Sequence, residues 1–456
     1  MITQTDPEGE HDDDDHLQTQ YQSKIRFLLR SAAALVSTSV VTSGLGFVYW
    51  AVAARAFPAS DVGESSTAIS AMNLIAPFTV LGFGTLLMVQ LPGMRGGRAA
   101  TVSTAAILSA LVGSIVALSC AFLLPSSFIG LPGIGHEAAI TALFTAAVAT
   151  QGVGLLLDQA LLSLIGGGMQ LGRNTIQATA KLVILAVLAV TLARFGSLTI
   201  FASWFVANVI SIAVMAGLLM RQYKVPVRRM FPTPAALRGL HFEAAKHHIL
   251  NIALFVPYFT MPIVGNVILG SEQAGYLFGT WSVAGFVFFL PVSLATALFA
   301  SGARDSRTFF MEFHFTMRFS LMICVAANVV VLAAGGLILR IFGPAYEANG
   351  HIALIVMCLG GLGLIIKDHH VSTARVTNRV GREAVLMSLL SLGEVVGAAI
   401  GATLNGLTGL SIGWLAAIVL EVLVCGPLVW RAYRGRLKIA TRTTEDGPNA
   451  AAEPGQ

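Results

Sequence analysis

The sequence predicts an all-α integral membrane protein of about twelve transmembrane helices, set in two six-helix lobes that are parallel repeats around a central cavity. Three observations carry this expectation. The chain is 55% hydrophobic and 11% charged, where a soluble globular domain carries about 25% charged residues. Its mean hydropathy is +0.77. Apolar stretches of roughly 20 residues, enough to cross a hydrocarbon core of about 30 Å, recur along the whole sequence. Finally, Lys and Arg collect in alternate gaps between those stretches, as topology in a membrane demands.

In order, the predicted spans are 30–54, 62–90, 101–124, 137–164, 172–192, 198–219, 248–269, 275–299, 315–341, 351–374, 384–404 and 409–430. The first is too long for a signal-peptide core of roughly 7–15 residues and is read as retained, despite the small residues of "AVAARA". With this count the basic residues of the tails and of five gaps, among them Lys24, Arg98, Arg173, Arg228, Arg304, Arg379 and Arg434, share one side. The opposite side keeps Arg55, Arg194 and Arg340. Both termini are therefore expected in the cytoplasm. The net charge of +5 is topological, so it gives no reason to expect nucleic acid.

The resulting organisation is an acidic, disordered tail (1–24), an N-lobe (25–220), a basic cytoplasmic linker (221–247), a C-lobe (248–432) and a second disordered tail (433–456). After Pro234 the linker has the composition of an amphipathic interfacial helix. The repeat is legible in "ARAFPASDVG" and "NVILGSEQAG": each puts a polar outer turn before a glycine, Gly63 or Gly275, and Pro77 and Pro291 come after it at matched depths. Two halves that both begin in the cytoplasm are parallel repeats about an axis along the membrane normal.

Ionisable residues inside the spans need an explanation, because each costs roughly 2.5–3.5 kcal/mol on insertion scales unless paired or wet. Lys181, Glu394 and Glu421 are the deepest, and "LGLIIKDHHV" adds Lys367, Asp368, His369 and His370. If the fourth and fifth spans fold back at "GGGMQLG", Asp158 meets Lys181. If the tenth and eleventh fold back at "TNRVGRE", Lys367 meets Glu394. Lys367 and His370 share a helical face, with Asp368 turned about 100° away toward Ser372 and Arg375. These pairs either fasten hairpins or belong to a pathway. Polar stripes accompany them: Asn174 and Gln177 with Lys181, Asn251 with His247, Tyr258 and Asn266, and Asn73 between Ser70 and Pro77.

All four cysteines lie in apolar runs without metal or redox spacing, and no P-loop, HExxH or nucleophile elbow is present. An enzyme with a cofactor is not expected.

The segments "GLGFVYWAVAARAFPASDVGESSTAISAMNLIAPFTVLGFG" and "ILGSEQAGYLFGTWSVAGFVFFLPVSLATALFAS" open the two halves. On them the chain resembles the polysaccharide-biosynthesis, or lipid-linked oligosaccharide, flippases of the multidrug/oligosaccharidyl-lipid/polysaccharide (MOP, MATE-like) exporter superfamily, over residues of about 25–432. The resemblance implies a two-lobed carrier in a bacterial cytoplasmic membrane that moves a prenyl-(di)phosphate-linked glycan outward by alternating access. Its implied partners are that lipid, membrane lipids, and glycosyltransferases or a glycan polymerase. It also implies a cationic cavity, for which Lys181, Lys367, His370 and Arg55 are the candidates here, with Asn174, Gln177, Asn251 and Asn73 lining the path. Asp158, Asp368, Glu394 and Glu421 are candidates for ion pairing or coupling. Twelve spans rather than fourteen set the chain apart from the peptidoglycan-precursor flippase, and the first span lacks a membrane acid. Cation-coupled drug export is the alternative.

Overall fold

The computed structural model describes residues 42–94, 97–222, 231, 243–302 and 309–435. The first tail, the second tail beyond residue 435, most of the linker with its expected amphipathic helix, and the start of the first span lie outside the described residues.

Every predicted span has its helix. The first half contains α1 (residues 42–56), α2 (Ala59–Thr79) continued by α3 (Phe83–Gln90), α4 (Arg98–Leu123), a short α5 (Ser126–Ile129) in the turn after it, α6 (Ala138–Leu164), α7 (Gly167–Thr191) and α8 (Ser197–Gln222). The second contains α9 (Glu243–Leu269), α10 (Ser271–Gly302), α11 (Phe309–Arg340), α12 (Pro344–Val376) and α13 (Val380–Tyr433). Among the described residues nine helices are long and apolar enough to cross a membrane. One of the nine, α13, is two spans: Asn405 and Gly406 leave the helical region, with φ of +58° at Gly406, and the chain folds back there. The two arms approach backbone to backbone, since a Cβ on Gly401 would lie 2.0 Å from the Gly409 carbonyl oxygen and one on Gly413 2.0 Å from that of Gly397. Both arms thus carry a small-xxx-small face, 397–401 and 409–413, which permits the close approach that drives helix association in lipid.

The second predicted span is broken. Pro77 removes a backbone donor near the end of α2, and the chain turns through Leu81 and Gly82, both at positive φ, before α3 begins. The carbonyl of Pro77 is met by a ring nitrogen of His248 at 3.1 Å, from α9. Pro291, its repeat counterpart, stays inside an unbroken α10. Helix-forming residues come after Pro291, whereas "LGFG" comes shortly after Pro77.

The lobes meet along α2, which packs against α9 and α10. Gly63 and Gly275, in register in the sequence, form the crossing: a Cβ on Gly275 would lie 2.1 Å from the Ala59 carbonyl oxygen. Nearby, Asn266 of α9 donates to the Ser127 carbonyl of α5 at 2.7 Å. The outward faces of α4, α11 and α13 leave large apolar side chains exposed, among them Phe122, Leu337 and Leu404, as lipid contact requires.

Candidate functional site

In the N-lobe the turn between α6 and α7 decides which residues meet. It falls at Ile165 and Gly166, where φ of +112° suits only glycine, and α7 starts at Gly167. Asp158 stands seven residues before Ile165 and Arg173 seven after Gly166, so these two are level. The Arg173 guanidinium grips Asp158 through two bonds, Nε to Oδ1 at 2.5 Å and Nη2 to Oδ2 at 2.6 Å. Its remaining donors reach Asn174 Oδ1 at 2.8 Å, Ser211 Oγ at 3.3 Å and Asn208 Oδ1 at 3.4 Å. A planar fork matches a carboxylate in a way an ammonium does not.

The expected Asp158–Lys181 pair is therefore not formed. Lys181 lies about 12 Å further along α7, at 1.5 Å per residue, half-way down the helix. It is buried, and its ammonium sits 3.7 Å from the Trp204 ring centre and 5.2 Å from that of Tyr49. Tyr49 is fixed by its hydroxyl, which bonds the Ile200 carbonyl at 3.0 Å and Ser203 Oγ at 2.8 Å. Among the described residues no carboxylate bonds Lys181. The aromatic box continues through Trp50 to Phe278 of α10, 4.4 Å between ring centres, so it touches the C-lobe.

In the C-lobe the expected Lys367–Glu394 pair is formed, at 2.5 Å, and has a third member. Lys367 Nζ also bonds Glu421 Oε1 at 3.1 Å, and Trp414 Nε1 donates to Glu394 Oε2 at 2.7 Å. The three ionisable side chains come from α12 and the two arms of α13, so the folding back at Asn405 is what assembles them. One turn further along α12, His370 has both ring nitrogens near oxygens, Nε2 at Glu383 Oε2, 2.8 Å away, and Nδ1 at the Cys425 carbonyl, 3.2 Å away. His369 is held by the Ile365 carbonyl and Thr316 in the core.

Asp368 faces away from the cluster as its helical position requires, and its Oδ2 is buried without a partner. Arg375, about two turns further along α12, bonds Asn251 Oδ1 of α9 at 2.7 Å. Asn73 accepts from Gln151 at 2.9 Å, and Gln177 is half-buried on α7 between Asn174 and Lys181. Arg55 is spent at the end of α1: its Nε and Nη2 donate to the carbonyls of Ile341 and Arg340 at 2.9 and 2.6 Å, capping the C-terminus of α11 across the lobe boundary.

Sequence reasoning missed Arg173, Glu383 and the aromatic box. Arg173 and Glu383 were within reach of the same equidistance rule, given the true turns. The box had no local signal, because Tyr49, Lys181 and Trp204 stand on three helices.

The arrangement of the described helices in two halves has counterparts among solved structures. An inward-facing multidrug resistance MATE family transporter of the MOP superfamily superposes with a TM-score of 0.65, covering 88% of this chain and 96% of that one at 13% identity. This chain has the MOP superfamily fold. A MOP transporter from Pyrococcus furiosus, whose binding pocket of reversed polarity suggests a different function, gives 0.62 at 12% identity over 89% of this chain and 96% of its own. The lipid II flippase MurJ, in an inward closed conformation, also gives 0.62 at 12% identity, over 88% of this chain and 90% of its own. No protein-family model matches the sequence, and no curated protein matches it.

Proposed function

We propose that the protein is a flippase that carries a prenyl-(di)phosphate-linked oligosaccharide or polysaccharide precursor from the inner to the outer leaflet by alternating access, for cell-envelope glycan synthesis. The observation that carries this reading is Lys181. It is an ammonium buried half-way along α7, with aromatic faces on two sides, in a box that reaches α10 through Trp50, and with no carboxylate bonded to it among the described residues. Such a charge is costly in an apolar core and is retained where an anion visits it. Aromatic rings hold it in place by cation–π attraction without neutralising it, so its charge stays available to a phosphate. The other buried cations, Arg173 and Lys367, are already committed to carboxylates.

In this account the lobes rock about the α2–α10 crossing, the phosphate-bearing head passes Lys181, and the prenyl tail remains in lipid. The fold shared with MurJ, which is named for lipid II, is consistent with a lipid-linked substrate. Replacing Arg55 or breaking its hold on α11 would loosen the outer closure and leave the phosphate contact intact.

Depletion of the protein in its host, with prenyl-diphosphate-linked glycans quantified by leaflet and dye efflux followed in parallel, tests the reading. Accumulation of an intermediate on the cytoplasmic face, reversed by the intact protein and not by Lys181→Met, is the expected result. Unchanged lipid-linked glycans with lost efflux would replace it with cation-coupled drug export.

A further inference from the structure

Where α11 begins and α13 ends, the C-lobe carries cations and aromatic rings that the transport account does not use. Phe309 and Phe313 of α11 are buried in one cluster with Val429 and Ala432 of α13, which fixes the two helices side by side. On the exposed side of this seam the rings gather. Tyr433 neighbours Trp430, with ring centres 6.1 Å apart and planes only 7° from parallel, and also His314 of α11, 4.3 Å away. Arg434 lies over the Trp430 ring at 4.3 Å. Arg318 of α11 donates from Nε and Nη2 to the Tyr433 hydroxyl at 3.3 and 3.2 Å.

This surface is built for lipid. Trp430 is 54% exposed, and Met311, Leu321 and Met322, which flank Arg318 along α11, stand exposed as well. Large apolar side chains are left open on a spanning helix where acyl chains cover them. Arg318 itself is exposed, nine residues into α11 or roughly 13 Å along it, so it is no frayed end. A guanidinium cannot shed its proton, and a phenol oxygen does not neutralise it. Its Nη1 makes no bond among the described residues. The charge of Arg434 meets a ring face, which attracts a cation and leaves its charge in place. The sequence adds to this excess: "WRAYRGRLK" carries Arg431, Arg434, Arg436 and Lys438 and no acid. A basic run directly after a spanning helix attracts anionic lipid headgroups, and Trp and Tyr rings stand at headgroup level.

We propose that the α11–α13 seam is a binding site for an anionic phospholipid. The lipid phosphate is held between Arg318 and Arg434, the headgroup rests on the Trp430 and Tyr433 rings, and the acyl chains run along Leu321, Met322 and Val325 of α11. Arginine suits this role because its fork meets phosphate oxygens through parallel bonds. The bound lipid bridges the start of α11 and the end of α13 and so stabilises the C-lobe. Both helices belong to that lobe, so the site rests on neither Lys181 nor the substrate proposed above.

The test uses the full-length protein in detergent with phosphatidylglycerol, phosphatidylcholine or glycerophosphate added. Thermal unfolding is followed by size-exclusion chromatography, and native mass spectrometry reads the lipid retained. Phosphatidylglycerol should raise the unfolding midpoint and stay bound under conditions that strip phosphatidylcholine, while glycerophosphate at equal concentration does nothing. In the double variant Arg318→Gln with Arg434→Gln, the phosphatidylglycerol concentration that gives half the shift should rise roughly 30-fold, taking each residue at the attraction usual for a basic side chain at a membrane surface. Arg221→Gln, at the end of α8, should bind as the wild type does. The wild-type arms decide even if the double variant does not fold: equal effects of the two lipids, or an effect of glycerophosphate that matches phosphatidylglycerol, overturn the proposal. So does undiminished binding in the double variant, or an equal loss in Arg221→Gln.

Discussion

Lys181 and Lys367 are two buried lysines, one in each half, and their surroundings are opposite. Lys367 lies between Glu394 and Glu421, in a cluster with more acid than base. Lys181 lies against Trp204 and Tyr49, with charge and no counter-charge bonded to it among the described residues. The two are not repeat counterparts, since Lys181 stands on the fifth span and Lys367 on the tenth, the fourth of its half. Each takes its surroundings from its own neighbours: in the proposed account the N-lobe cation meets a visiting anion, whereas the C-lobe cation is bonded to its own acids. The N-lobe has its own closed pair in Asp158 and Arg173, so the lone state of Lys181 is not for want of an acid on the neighbouring helix.

The comparison can be attacked at each element. The largest effect is expected from Asp158→Ala, which strands a guanidinium that cannot shed its proton; folded stability in detergent should fall by about 3–5 kcal/mol. The double variant Asp158→Asn with Arg173→Met should recover most of that loss, and thermal unfolding followed by size-exclusion chromatography reads both. Next is Glu394→Gln, which removes a charge-assisted bond to Lys367 and should cost about 1.5–3 kcal/mol by the same assay. A double-mutant cycle between Trp204→Leu and Lys181→Met should return a coupling of about 1–2 kcal/mol, because the cation–π contact is desolvated. The smallest stability effect belongs to Lys181→Met alone, within about 1 kcal/mol of the wild type, since an apolar side chain of similar volume relieves a buried charge. Its effect on transport should be the greatest of the set. A Lys181→Met protein that unfolds as readily as Asp158→Ala would place Lys181 among the structural charges.

The twelve spans were legible because hydrophobic length is a local property. The α2–α3 break was half-legible: Pro77 was visible, but whether a helix survives a proline depends on the residues just beyond it, and the same residue at 291 is absorbed. The candidate site was legible where it depended on turns correctly placed. Lys367 and Glu394 meet because α13 does begin beside "TNRVGRE". Asp158 was given the wrong partner because α7 begins at Gly167 rather than near residue 172, which exchanges Lys181 for Arg173. Glu421 was recognised as deep, yet its union with Lys367 required the fold-back of α13 and the close approach of Gly401 to Gly409. The aromatic box around Lys181 is a tertiary fact, made by α1, α7 and α8 together.

The most direct measurement is translocation of a fluorescent prenyl-diphosphate-linked sugar in liposomes reconstituted with the purified protein, comparing wild type, Lys181→Met and Lys181→Arg at equal folded amounts. The account predicts protein-dependent transfer between leaflets by the wild type, loss with methionine and substantial retention with arginine, which keeps the charge. Equal transfer by the wild type and Lys181→Met would contradict it.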